Sequence, residues 1–177
     1  MIRNCRIGNA VVRRDVDGHT AAGYDSLIAN GGQDILATGN TCAGGTGTGI
    51  AAQSSKDDAS LFRNIRIDGN RVSDQGAYGI IVYRSVRAIF QTLNIVGNIV
   101  ASISGAIRQE NHGRIFGCGI YIQGVEGVMI AGNTVRNANS RTEVETLAPA
   151  GIAVANARAV EILNNTVEDS LVRCLCL

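Results

Sequence analysis

One eight-residue pattern recurs along this chain, and it limits the possible folds more than any other feature does. Four segments superpose without gaps: Ile65-Arg-Ile-Asp-Gly-Asn-Arg-Val72, Leu93-Asn-Ile-Val-Gly-Asn-Ile-Val100, Val128-Met-Ile-Ala-Gly-Asn-Thr-Val135 and Val160-Glu-Ile-Leu-Asn-Asn-Thr-Val167. A fifth, Ile35-Leu-Ala-Thr-Gly-Asn-Thr-Cys42, fits with Ala37 and Cys42 as smaller fillers, and a degenerate sixth runs from Cys5 through Ile7 to Val12. Counted from Ile35, the starts lie 30, 28, 35 and 32 residues apart. A period in this range signals stacked units, each of which buries its apolar face only against its neighbours.

A second element alternates with the first: Gly49-Ile50, Gly79-Ile80-Ile81-Val82, Gly119-Ile120-Tyr121-Ile122 and Gly151-Ile152-Ala153-Val154, with Ser26-Leu27-Ile28 as its first copy. Each repeat therefore holds at least two short strands, whose apolar residues recur at every second position as one-face-in strands require. No segment carries a helical stripe. The apolar stock agrees: 20 Ile and 16 Val against no Trp suit a core of stacked β-branched side chains. With a single proline, Pro149, the turns must be glycine and asparagine turns, and no proline-rich linker divides the 177 residues. Equivalent strands in every copy are satisfied by coiling, each strand pairing in parallel with its copy one turn along. The expected fold is an all-β, right-handed parallel β-helix of five to six coils, forming one domain over residues 1–177.

The stack predicts the rest of the pattern. Ile67, Ile95, Ile130 and Ile162 should form one interior column, and Cys42, Val72, Val100, Val135 and Val167 another, which makes Cys42 core and not a site. Asn40, Asn70, Asn98, Asn133 and Asn165 should form a ladder of amides within one turn. The five cysteines, at 5, 42, 118, 174 and 176, lack zinc-finger spacing and do not read as a disulfide framework.

The I-x-G-N-x-V and G-I-x-V punctuation resembles the repeats of the pectate-lyase-like superfamily of parallel β-helices, over about residues 5–169. That resemblance implies a group containing polysaccharide lyases, pectin-type hydrolases, alginate epimerases, phage tailspikes and adhesins, mostly exported, hence an extracellular or periplasmic location. The chain lacks the Asn-Thr-Asp, Gly-His-Gly and Arg-Ile-Lys set of the polygalacturonase type and the Asp-Pro-His-Glu of the epimerase type, so it departs from both patterns.

In a solenoid the rungs are scaffold and the insertions are the functional surface. Between the asparagine turn and the following Gly-Ile strand, the connections Thr41 to Thr48 and Arg71 to Tyr78 are short. Those from Ile99 to Cys118 and from Thr134 to Ala150, and one ending near Asp25, are long. They should wall a notch over the two short coils. The walls hold Arg108, Glu110, His112 and Arg114, then Arg141, Glu143 and Glu145, with Arg13, Arg14, Asp15, Asp17 and His19 in the first connection; the floor has Asp74 and Gln75. A polysaccharide lyase needs a cation or Arg to neutralise a uronate carboxylate and a base for the C5 proton, whereas a glycosidase needs two carboxylates. Glu110 with His112 is the expected acid/base pair, Glu143 or Glu145 a second carboxylate, and Arg108, Arg141, Asp74 and Gln75 the substrate contacts. Asp57 and Asp58, beside Lys56 on another edge, are the candidate Ca²⁺ ligands, and Ca²⁺ is the cofactor candidate.

Two functions follow as expectations. The first is a carbohydrate-active protein, a lyase or glycosidase relative acting on or binding an acidic polysaccharide. The second is a non-catalytic binding or structural module of a tailspike, adhesin or larger exported protein, since the apolar tail Leu171 to Leu177 and the absence of a capping helix suggest a fragment or association through the ends. A formal charge of +1 excludes the basic footprint of a nucleic-acid binder. No apolar run reaches the roughly 18 residues of a membrane helix, and the first residues lack the apolar middle of a secretion signal. Tyr78, Tyr83, Tyr121, Phe90 and Phe116 do not align in sequence as a sugar-stacking platform.

Overall fold

The computed structural model describes residues 1–10, 27–30, 32–45, 47–54, 61–84, 88–104, 117–138, 150–170 and 172–176. Six coils follow one another, each with three strands. The first has β1 (Ile2–Arg3), β2 (Arg6–Ala10) and β3 (Leu27–Asn30), and the second β4 (Leu36–Thr38), β5 (Thr41–Gly45) and β6 (Ile50–Gln53). The third has β7 (Leu61–Asp68), β8 (Arg71–Gln75) and β9 (Tyr78–Tyr83), and the fourth β10 (Ile89–Val96), β11 (Ile99–Ile103) and β12 (Cys118–Gln123). The fifth has β13 (Val125–Ala131), β14 (Thr134–Ala138) and β15 (Ala150–Ala155), and the last β16 (Arg158–Leu163), β17 (Thr166–Glu168) and β18 (Val172–Cys176). Every third strand joins the same sheet, giving three six-stranded sheets, and every pairing is parallel. The expected β-helix is present with its five to six coils. The recurring octapeptide, however, is two strands bent at the Gly-Asn pair, so each coil has three strands where at least two were expected.

Register carries the columns. Ile67, Ile95, Ile130 and Ile162 stack in the first sheet. Cys42, Val72, Val100, Val135 and Val167 stack in the second. Ile50, Ile80, Ile120 and Ile152 stack in the third. Most of these are shut from solvent, each fully buried Ile or Val being worth roughly 1.5–3 kcal/mol. Phe62 and Phe90 stack face to face at 4.0 Å in neighbouring coils. Cys174 and Cys176 stand in register with Ile152 and Val154, continuing the strand order of the third sheet.

The ladder forms as expected, and its bonds all run one way from amide to amide. Each asparagine Oδ1 accepts from both the backbone N–H and the Nδ2 of the asparagine one coil before it, at 2.9 Å along the run from Asn40 to Asn165. Each Nδ2 also donates to a strand carbonyl of the coil before, as Asn98 does to Ile67 and Asn133 to Ile95. The first copy of the motif is Ile2 to Ile7, since Ile2 pairs with Ala37 and Ile7 with Cys42. Cys5 thus holds the ladder position in that coil, and its backbone N–H donates to Asn40 Oδ1. A sulfur-bearing side chain cannot repeat the amide exchange, which is why this copy is degenerate in sequence while its backbone still conforms.

The bends between strands need left-handed backbone, and the chain supplies residues that tolerate it. Gly44, Asp74, Ser102, Asn137 and Asp169 all have positive φ at one register position. Asp74 is therefore at a bend of every second-sheet strand, a position that favours Gly, Asn and Asp on conformational grounds alone.

Cys42 yields a pH test of this packing. Burial first, then the neighbouring Cys5, pushes its thiol up to about 11 from 9.0. The unfolded chain then ionises this thiol first as pH rises, so its contribution is intact below pH 9.0 and is lost as pH climbs toward about 11. In urea melts, the difference in stability between wild type and Cys42→Val should change across that window, by at most ~1.4 kcal/mol per pH unit. A difference that stays constant with pH would show the thiol to be freely ionisable.

Candidate functional site

The three long connections all leave the second sheet and enter the third, running from Ala10 to Leu27, Ile103 to Cys118 and Ala138 to Ala150, while Gly45 to Ile50 and Gln75 to Tyr78 are short. Arg108, Glu110, His112, Arg141, Glu143 and Glu145 lie outside the described residues, as do Asp57 and Asp58 in the connection from β6 to β7. Of the expected floor, Asp74 is exposed. Gln75 is 1% exposed and in register with Gly45 and Ile103, facing the coil interior. Its Nε2 donates to Ser73 O, and its Oε1 has no hydrogen-bond partner. Asp74 and Gln75 thus point apart. Among the described residues no three His, Cys, Asp or Glu side chains gather as a metal site.

The chemistry that the described residues do bring together lies on the outer side of the third sheet. Strand alternation sends Ile80, Val82, Ile120 and Ile122 inward, so Ile81, Tyr83, Tyr121 and Gln123 face out. Register places Tyr121 beside Ile81 and Ala153, and Tyr83 between Gln53 and Gln123. Tyr78 reaches the same side because the alternation slips by one residue at Gly79 and Ile80, both of which are buried. It packs with Tyr121 on a small separate cluster of Cys118, Ala150 and Ala153. The small side chains of neighbouring coils leave room for the rings to lie down on the sheet.

The geometry fixes one ring and leaves another free. Tyr78 and Tyr121 meet with centroids 5.5 Å apart and a tilt of 34°, and the Tyr121 hydroxyl donates to Gln123 Oε1 at 2.7 Å. Burial first, then the neighbouring Cys118 and Tyr83, raises the Tyr121 phenol above its ordinary value. It stays a neutral donor at physiological pH. Tyr83 is 39% exposed. With coils about 4.8 Å apart, Gln53, Tyr83 and Gln123 form a row of amide, ring and amide along the solenoid axis. Tyrosine rings with a polar tip beside amide groups can stack on and hydrogen-bond a neutral, hydroxyl-rich ligand. The sequence signal for this face was present: Gln53, Tyr83 and Gln123 occupy one column when the Gly-Ile elements are superposed, offset by an odd number of residues from the inward isoleucines.

Compared with known families, residues 1–175 match the family described as the right handed beta helix region. The chain belongs to this right-handed β-helix family. The match takes in all six coils, and so includes the degenerate first copy that Cys5 interrupts. Neither the curated proteins nor the solved structures contain a significant match to this β-helix.

Proposed function

We propose that this β-helix binds a polysaccharide across the outer side of its third sheet. The observation that carries the reading is the gathering of Tyr78, Tyr83, Tyr121, Gln53 and Gln123 on one sheet face. A glycan lying along the axis passes Gln53, Tyr83 and Gln123 in successive coils, and such an extended row suits a polymer better than an isolated small molecule. The resemblance to pectate-lyase-like repeats supports a sugar ligand and an exported protein, and it suggests a lyase or glycosidase relative. The connection bearing Glu110 and His112 leads into β12 at Cys118, the strand that carries Tyr121 and Gln123.

The test is binding of soluble polysaccharides, alginate and polygalacturonate among them, measured by affinity electrophoresis and calorimetry. Tyr83→Ala should weaken the bound glycan about tenfold, the loss of one stacking contact, while leaving the thermal transition unmoved because the ring is partly exposed. Ultraviolet-absorbing unsaturated uronate would identify a lyase and new reducing ends without it a hydrolase. In either case Glu110→Ala with His112→Ala should abolish turnover and retain binding. Glycan binding that Tyr83→Ala leaves undiminished, or no binding to any polysaccharide in the panel, would overturn the reading.

A further inference from the structure

At the corner where the third sheet hands the chain to the first, the surface opens into a cleft of about 500 Å³. This is within the usual range of small-ligand sites. Arg84, Gly124, Glu126, Asn156 and Arg158 line it, with Ile89 and the edge of the core beneath. The corner is built by register. Arg84 follows Tyr83 directly, and its backbone N–H donates to Gln123 O, while the N–H of Gly124 donates to Ala155 O. These bonds set the turns of successive coils one above another.

Gly124 suits this turn by its left-handed backbone, and the Arg84 side chain lies over it. The φ of Gly124 is +72°, and a Cβ there would fall 2.7 Å from Arg84 Nε. The Arg84 side chain therefore lies directly across the turn. On the first sheet, Arg158 stands in register beside Glu126. The ion pairs among the described residues are Arg66 with Asp68 and Arg136 with Glu168. Neither Arg84 nor Arg158 has a carboxylate partner among those residues. Two guanidinium groups and one carboxylate give the cleft a net positive charge, and the planar fork of Arg matches the paired oxygens of a carboxylate or sulfate.

We propose that this corner cleft is an oxyanion site that takes an acidic substituent, sulfate or carboxylate, of the glycan lying on the adjacent tyrosine face. The source of the anion rests on the polysaccharide reading above, whereas the site itself does not. Arg84 is the link between the two, since it adjoins Tyr83 in the chain and turns its side chain round the corner. Glu126 limits the affinity, because its carboxylate neighbours Arg158 and repels the incoming charge.

The experiment uses the full chain and two probes. Inorganic sulfate is titrated first, followed through the amide resonances of Gly124 and Asn156. Saturable shifts are expected, weakened at least tenfold by Arg84→Gln or Arg158→Gln and tightened several-fold by Glu126→Gln. The gain in the last variant cannot come from damage to the fold. A sulfated oligosaccharide and its unsulfated counterpart are then compared. The sulfated form should bind more tightly, Arg84→Gln should erase that preference, and Tyr83→Ala should weaken both. No saturable shift with sulfate, or shifts indifferent to Arg84→Gln, would overturn the site. Sulfate binding without any preference for the sulfated oligosaccharide would overturn the glycan as its source, and failure of both oligosaccharides to bind would also refute the polysaccharide reading while leaving the anion site standing.

Discussion

Asn98→Ala should lower the stability of this protein by about 4 kcal/mol or more, from the loss of several buried hydrogen bonds at roughly 1–3 kcal/mol each. Asn98 Oδ1 accepts from the backbone and side chain of Asn70, and its Nδ2 donates to Asn133 Oδ1 and to Ile67 O. Truncation takes hydrogen bonds from the coils on both sides at once and leaves the Asn70 N–H without its acceptor, in a place where Asn70, Asn98 and Asn133 are each at most 1% exposed. Denaturant melts would show the midpoint falling sharply. Asn165→Ala should cost less, because Asn165 is only partly buried and closes the run of bonded asparagines. Equal losses at both positions would mean that the ladder is not the source of the effect. Asn98→Asp adds a pH signature. Only the protonated acid can donate to Asn133 Oδ1, so its folded pKa must lie above the unfolded value near ~3.9. Its stability should then be greatest at low pH and lost as pH rises through the folded value.

Gly79→Ala is expected to be nearly as damaging, at about 3 kcal/mol, the upper end of the range for overpacking, or roughly 10 °C in Tm. A Cβ at Gly79 would collide with Val100 Cγ1 inside the coil and fall 2.5 Å from the carbonyl oxygen of Gly119 in the next coil. Gly49 and Gly119 face the same pair of obstacles, a valine of the second sheet and the glycine carbonyl one coil along. The Gly-Ile punctuation thus marks a close approach between coils. Adding Val100→Ala to Gly79→Ala should recover part of the loss and no more, because the backbone carbonyl cannot withdraw. Full recovery would place the whole clash on the valine.

Much of this architecture was legible because a solenoid writes each contact several times. The Ile67 and Val72 columns and the asparagine ladder each rest on vertical neighbours of the same kind, so the gapless alignment already named the partners. The first coil was harder: Cys5 breaks the Gly-Asn signature, and only the register of Ile2 with Ala37 shows that the motif begins at Ile2. The number of strands per coil had a sequence mark of its own, because the inward positions change parity across the Gly-Asn pair, from Ile65 and Ile67 to Val72, as a bend between two strands requires.

The binding face was less legible for a different reason. A surface is assembled from positions that no column forces to be alike, so Tyr78, Tyr83 and Tyr121 sit at three different offsets from their nearest glycine. Reading them as one platform requires knowing that the strand alternation slips at Gly79 and Ile80, which brings Tyr78 to the same side as the later rings. Gln75 shows the converse. Its charged neighbour Asp74 suggested a polar floor, yet the aligned occupants Gly45, Ile103 and Ala138 are those of an interior position.

The asparagine run has one further property: it is vectorial. From amide to amide the donation runs one way, each Nδ2 giving a proton to the next Oδ1 along the chain, so the stack is polar from end to end, much as a row of arrows is. A segment joining beyond Asn165 would have to offer a carboxamide oxygen, whereas the coil before Asn40 meets it with backbone alone, the Cys5 N–H and the Ile2 carbonyl. Two such stacks can therefore share this network head to tail, and never head to head.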